Sequence, residues 1–317
     1  MERGHVLQHL NYHSHMYGLS VRSDIALPEL NQGRLGSAEY ITISAVPNLG
    51  ALENGRIINP YCQATDVEIR LNIPDKLTLS IVGGAHIYYQ AAPGVDEATL
   101  RLYILGSGFG ALLQQRGYLV LHGNAVKMTD GGGLICVGPS GIGKSTTAAA
   151  MMQRGYKIIA DDVCPITTAG IVIPGMPRIK LWEDAAAHLS VSTDGLRHIM
   201  PGMAKYNLPL GEAYATGGLK VKTLVELDTH EGADIIVEPV MGVEKFMLLK
   251  RNSYRYEYLL AMNSAADHFK KAEHFIAGLS MYKVKRPKDG FAIDRLLDRL
   301  INLYDESDIA GLGAAKL

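Results

Sequence analysis

The residues best suited to chemistry are Gly138-Pro139-Ser140-Gly141-Ile142-Gly143-Lys144-Ser145, which fill the pattern G-x-x-x-x-G-K-[ST]. An apolar run, Leu134-Ile135-Cys136-Val137, precedes them, and a helical pattern from Thr146 to Arg154 follows. A strand, a glycine-rich loop and a helix form the context in which this pattern carries weight. The glycines allow positive φ and let backbone N–H groups approach a phosphate without interference from a Cβ. The helix N-terminus adds partial positive charge and unpaired donors. Lys144 is placed to reach the β- and γ-phosphates, and the Ser145 hydroxyl to hold Mg²⁺. Gly138, Ser140, Gly141, Ile142, Gly143, Lys144, Ser145 and Thr146 are therefore the expected polyphosphate contacts, with ATP and Mg²⁺ as the expected cofactors. The alternative, an ordinary glycine-rich turn, leaves the four fixed positions unexplained.

A second feature lies sixteen residues beyond Ser145. The strand pattern Tyr156-Lys157-Ile158-Ile159-Ala160 closes on Asp161-Asp162. Two strands joined by a crossover helix run parallel, so both end at the same edge of the sheet, where ligands collect in open α/β folds. The carboxylates then emerge beside the phosphate loop, available as metal ligand and proton acceptor. In an extended segment adjacent side chains point to opposite sides, so one of the two at most is expected to face a nucleophile. Solvated turn aspartates are the competing reading. Arg178, Lys180, Lys205 and Arg251 are further cations that could clamp a γ-phosphate or an acidic peptide end, set against ordinary surface positions. His5, His9, His13 and His15 have no matching cysteine or carboxylate cluster and are expected to be solvated.

The remaining elements must position these groups. Residues 1–95 read as a β-rich N-terminal domain: Tyr17–Arg22, Tyr40–Ile43, Val67–Leu71, Leu77–Ile81 and His86–Tyr89 are short strand patterns punctuated by Gly, Pro and Asn. Residues 96–117 read as a bridging helix, weakened at Gly106 and Gly108, and open a domain over 96–317. Within it, Tyr118 to Val126 reads as an interrupted strand, Gly170 to Trp182 as strand and tight turn, and Glu183 to Leu189 as a short helix. Segment 190–218 shows no periodicity and is left between a substrate loop and a surface excursion. Strands at 223–227, 234–237 and 281–284 and helices at 242–251, 265–279 and 292–304 complete the α/β pattern. Lys283, Lys285, Arg286 and Lys288 read as a solvated edge.

Composition narrows the class. With 317 residues, 47% hydrophobic and 20% charged, the chain can bury a sizeable core. A net charge of −1 gives no reason to expect nucleic acid or an anionic membrane as partner. Cys62, Cys136 and Cys164 are widely spaced, which fits buried free thiols in a reducing compartment. No apolar signal core or membrane-length run is present, so a cytoplasmic location is expected.

Three pieces at fixed spacing, His122-Gly123, Gly138 to Ser145, and Ala160-Asp161-Asp162, resemble the catalytic domain of the bacterial HPr kinase/phosphorylase family, over residues 118–165. The resemblance implies a P-loop kinase domain of the HPr kinase and phosphoenolpyruvate carboxykinase type. It further implies Asp161 as the base that takes the serine proton, His122 as its partner, Lys144 as a catalytic phosphate ligand, and Ser145 with Asp162 on the metal. Thr146 stands where HPr kinases carry glutamate, their later signature has no counterpart, and the N-terminal region does not look like their regulatory domain. Tyr17-Gly18-Leu19, Pro174 to Trp182 and Arg251-Asn252-Ser253-Tyr254 resemble HPr-kinase-like proteins found with peptide natural-product genes, some of which phosphorylate a serine of a lasso-peptide precursor. The expected substrate is thus a serine-containing peptide or small protein, with HPr and free serine as alternatives. A non-catalytic ATP-binding switch is the reading from another class. Assembly into a homo-oligomer is expected by analogy with the related kinases.

Overall fold

The structure, a computed structural model, describes residues 10–33 and 40–314. His5 and His9 lie outside the described residues. The described chain divides into two compact units, one of 1–120 with 199–203 and 254–270, the other of 121–198, 204–253 and 271–317.

The first unit is built on one mixed sheet. Its strands are Tyr12–Met16 (β1), Leu19–Ser23 (β2), Asn31–Gln32 (β3), Tyr40–Ala45 (β4), Arg56–Asn59 (β5), Cys62–Ala64 (β6), Glu68–Ile73 (β7), Leu77–Val82 (β8) and His86–Ala91 (β9), ordered β3-β1-β2-β4-β9-β8-β7-β6-β5. The hairpins are antiparallel, but β4 runs parallel to both β2 and β9. Alternation buries Ile41, Ile43, Ile69, Leu79, Ile81 and Ile87 on one face.

A helical stretch covers that face: Glu97–Tyr103 (α1), a π-helical turn over Ile104–Gly108, and Phe109–Gln115 (α2). Asp96 caps α1 through the Thr99 N–H at 2.9 Å. The expected single helix is thus interrupted at the two glycines. At Gly108 a Cβ would come within 3.4 Å of Ile87 Cδ1, so the close approach to the sheet favours glycine there. After Leu119–Leu121 (β10) the chain enters the second unit.

There the central strands are Gly123–Lys127 (β11), Gly133–Val137 (β12) and Lys157–Asp161 (β13), with Lys144–Gln153 (α3) crossing between the last two. Strand β11 lies between β12 and β13 and is antiparallel to both, so β12 and β13 run in the same direction, as expected. Its register pairs Asn124 with both Cys136 and Asp161, which sets the ends of β12 and β13 level. Next come Cys164–Ile166 (β14), Ile171–Val172 (β15), Arg178–Trp182 (β16), Glu183–His188 (α4) and Lys205–Pro209 (β17). Leu219–His230 (β18) pairs in parallel with β12, and Ser280–Pro287 (β20) in parallel with β18. Ile236–Pro239 (β19) borders β20. The last helices are Val243–Asn252 (α5), Tyr256–Ala261 (α6, in the first unit), Ala265–Ile276 (α7) and Ile293–Ala314 (α8).

Two expectations change. Segment 190–218 contains β17, a five-residue partner of β16. Its sequence, Lys-Tyr-Asn-Leu-Pro, lacks a clean apolar alternation and so gave no strand signal. Helix α8 runs ten residues past Tyr304, to Ala314. In the core of this unit, α3 contributes Ala148, Ala149 and Met151, and α8 contributes Leu296, Leu297, Leu300 and Leu303. Each of those leucines stabilises the fold by about 1.5–3 kcal/mol. Cys62, Cys136 and Cys164 are buried free thiols.

Asp130 ties the turn before β12 to this core. It accepts from the Tyr304 hydroxyl at 2.7 Å and the Gly132 N–H at 2.9 Å, and it pairs with Lys222. Burial works to raise its pKa, but Lys222 and the two donors prevail and bring it down to about 2. A depressed carboxylate stabilises the fold above its unfolded pKa and loses that contribution as pH falls through the folded value. Asp130→Asn should therefore cost about 1–2 kcal/mol at pH 7. It should also flatten the loss of stability between about pH 4 and pH 2, as read by urea unfolding across that range.

Candidate active site

The loop between β12 and α3 has three glycines at positive φ: Gly138 at 142°, Gly141 at 82° and Gly143 at 104°. Gly138 is the most constrained, because a Cβ there would lie 2.6 Å from the Leu227 carbonyl of the neighbouring β18. The Lys144 ammonium donates to the carbonyls of Gly138 at 2.8 Å and Pro139 at 2.9 Å, which holds it within the loop. Burial lowers its pKa, opposed by the charges of Asp162 and Asp161. Asn124, wholly buried on β11, donates its amide to the Lys144 carbonyl. Sequence reasoning missed this residue, although a polar residue inside an apolar strand pattern marks a buried hydrogen-bonding position.

At the end of β13 the two aspartates meet different partners. Asp161 is 6% exposed and accepts from the Ser145 hydroxyl at 2.9 Å and from the Lys180 backbone N–H at 2.9 Å. Asp162 leaves the strand in the left-handed region, φ 76°, rather than in the extended geometry expected from sequence. Its carboxylate pairs with the Lys180 ammonium at 2.6 Å and stands 3.3 Å from His122 Nδ1, which also lies 3.0 Å from the Asp162 carbonyl. The resemblance implied Asp162 beside Ser145 and His122 beside Asp161. In the structure the Ser145 hydroxyl meets Asp161, and His122 Nδ1 meets Asp162.

Electrostatics separates the pair as well. Burial, then the charge of Asp162, pushes the Asp161 carboxyl up. Burial pushes Asp162 in the same direction, yet the Lys180 ammonium and His122 hold it well below the usual carboxylate range. Burial lowers the His122 pKa against the pull of Asp162, and because the Asp162 carbonyl can only accept, Nδ1 carries a proton.

The cations of β16 and β17 complete the surroundings. Arg178 and Lys180 are buried, 8% and 7% exposed, where surface positions were the ordinary expectation. They share one face of β16, opposite Ile179 and Leu181, which pack in the hydrophobic core. Lys205 on β17 lies 5.0 Å from the Trp182 ring centre; burial lowers its pKa, opposed by Asp162. Arg251 is the partner of Glu226, at 2.7 Å and 2.5 Å, and of Glu244 at 2.8 Å. Glu226, level with Val137 on the neighbouring strand, also accepts from Asn252, whose carbonyl receives the His122 N–H. The C-terminus of α5 thereby fixes the backbone at His122. Lys283, Lys285 and Lys288 are paired with Asp228, Glu238 and Glu231.

Residues 115–177, which carry the loop and both aspartates, match the family model of the HPr Serine kinase C-terminal domain. This stretch is HPr-kinase-like. Among curated proteins, an HPr kinase/phosphorylase of Caldanaerobacter subterraneus is 42% identical over 52 residues, 16% of this chain and 17% of its own. One from Clostridium botulinum is 40% identical over 62 residues, 19% of this chain and 20% of its own. One from Limosilactobacillus reuteri is 27% identical over 111 residues, 35% of this chain and 30% of its own. The chain thus spans less than a third of the length of these relatives. The solved structure of the Hpr(Ser) kinase/phosphatase from Coxiella burnetii is 15% identical, covering 60% of this chain and 97% of that one, with a TM-score of 0.31.

The loop geometry gives a direct test. Gly138→Ala should destabilise the protein by about 1–3 kcal/mol through strain and the close contact with Leu227. It should weaken polyphosphate binding as well, whereas Gly141→Ala, where a Cβ meets nothing within 4 Å, should be milder in denaturant unfolding.

Proposed function

We propose that the chain is an ATP- and Mg²⁺-dependent serine kinase whose acceptor is a peptide or small protein. The observation that carries this reading is the contact of the Ser145 hydroxyl with Asp161, with a second carboxylate beside it held ionised by Lys180. The match of 115–177 to HPr kinase domains supports serine as the acceptor residue. The looser likeness to kinases of peptide natural-product genes favours a ribosomal peptide precursor of the lasso type.

The donor set suits Mg²⁺. Two neighbouring ligands of an octahedral Mg²⁺ at 2.0–2.1 Å stand about 3 Å apart, and Ser145 Oγ and Asp161 Oδ1 are separated by 2.9 Å. Hard oxygen donors of this kind, few in number, are what Mg²⁺ takes beside phosphates. When bound there, Mg²⁺ supplies charge neutralisation for the polyphosphate. A buried carboxylate pushed up by a like charge is also one that a cation would return to its ionised form.

Phosphoryl transfer asks the protein mainly for positioning and charge. The loop N–H groups and Lys144 hold the phosphates. Asp162, ionised at neutral pH and supported by His122 and Lys180, accepts the serine proton. Its low basicity is compatible with a loose transition state in which the proton moves late. Lys205, which has no carboxylate partner among the described residues, meets the transferring phosphate.

Transfer from γ-labelled ATP to a serine peptide, HPr and free serine tests the reading. Label is expected on a peptide or protein serine. Asp162→Asn should lose about 10²–10⁴ in turnover while keeping Mn²⁺-nucleotide affinity; Asp161→Asn should lose Mn²⁺ affinity as well. Label on free serine alone would move the substrate class to small molecules. If ATP binds tightly and no acceptor is labelled, the chain is a nucleotide-dependent switch.

A further inference from the structure

An open cavity of about 230 Å³ lies beside the phosphate loop, on the side of Thr146 in the first turn of α3. Gly141, Gly143, Thr146, Arg286, His188 and Phe291 are among the residues that line it. The polyphosphate reading does not use it, and no base-reading motif is visible in the sequence.

Three observations bear on its ligand. The Arg286 guanidinium donates only to carbonyls, those of Ile142 at 3.3 Å and Pro287 at 3.0 Å. It makes no ion pair among the described residues. Its Nη2 stands 3.8 Å from where a Gly143 Cβ would lie, so an unneutralised cation borders the loop on this side. Second, the Phe291 ring is 43% exposed and stacks on His188, with ring centres 4.7 Å apart and planes at 28°. A phenylalanine left open to a cavity offers a flat apolar face, and backing by a second ring fixes its orientation. Third, His188 Nδ1 is 2.7 Å from the Asp184 carbonyl. The carbonyl can only accept, so Nδ1 carries the proton and this bond holds the ring in place behind Phe291.

Anion recognition next to the loop and an open, backed aromatic face beyond it follow the order of groups that a nucleotide presents, phosphate and then base. We propose that this cavity is the nucleoside end of the site. Arg286 meets the phosphates nearest the sugar, and the base stacks on Phe291, which His188 supports. The proposal rests on the polyphosphate reading of the loop and adds the residues that would separate a nucleotide from bare triphosphate. Stacking accepts any base, since every base has a π-face.

The test compares Mg²⁺-ATP with inorganic triphosphate by titration calorimetry on the full chain, for wild type, Phe291→Ala and Phe291→Tyr. Phe291→Ala should weaken ATP about 5- to 100-fold and leave triphosphate within about twofold, and Phe291→Tyr should restore ATP affinity. Unchanged triphosphate binding also reports that the variant is folded. The proposal is overturned if ATP and triphosphate weaken together, if ATP affinity is unchanged in Phe291→Ala, or if only the KM of a peptide acceptor rises. Absence of label transfer with the ATP-specific loss intact would overturn the kinase reading alone.

Discussion

Two adjacent carboxylates beside the glycine loop, one buried and the other half-buried, are costly, because each loses water and each repels the other. The second unit resolves this by giving them opposite environments. Asp161 receives a hydroxyl and a backbone N–H and keeps a raised pKa, while Asp162 receives a lysine ammonium and a histidine ring. One residue, Lys180, serves both, through its backbone N–H to Asp161 and its side chain to Asp162. A buried ion pair of this kind adds little net stability, but removing one partner strands a charge in the interior. The arrangement of β16 beside β13 is therefore dictated by the carboxylates as much as by packing. The left-handed backbone at Asp162 follows as well, since it turns the second side chain out of the extended alternation and toward Lys180 and His122.

Much of this was legible before the fold was known. The glycine loop, the His122-Gly123 pair and Asp161-Asp162 stand out by residue type and spacing, and the crossover rule alone brings the aspartates to the loop. The unread part came from interactions distant in sequence. Strand β17 pairs with β16 across more than twenty residues and has no periodicity of its own, so the cations near the site looked like surface charges. The different surroundings of Asp161 and Asp162 follow from the left-handed backbone at Asp162, which no pattern of side chains announces. The cavity beside the loop is formed by α4, the end of β20 and the start of α8, whose aromatic and charged residues carry no motif.

The likeness to HPr kinases is concentrated in residues 115–177, which carry the glycine loop and both aspartates. Outside it lie the sheet of the first unit and the β16–β17 ribbon. Fold alone does not fix function, which resides in the site.

The most direct test of the division between the two aspartates is the position of the metal. A crystal of the chain with Mn²⁺ and ADP, measured at the manganese edge, should show an anomalous peak within about 2.3 Å of both Asp161 Oδ1 and Ser145 Oγ, with Asp162 still on Lys180 and His122. A peak bound by the Asp162 carboxylate, with Asp161 free of the metal, would contradict the account.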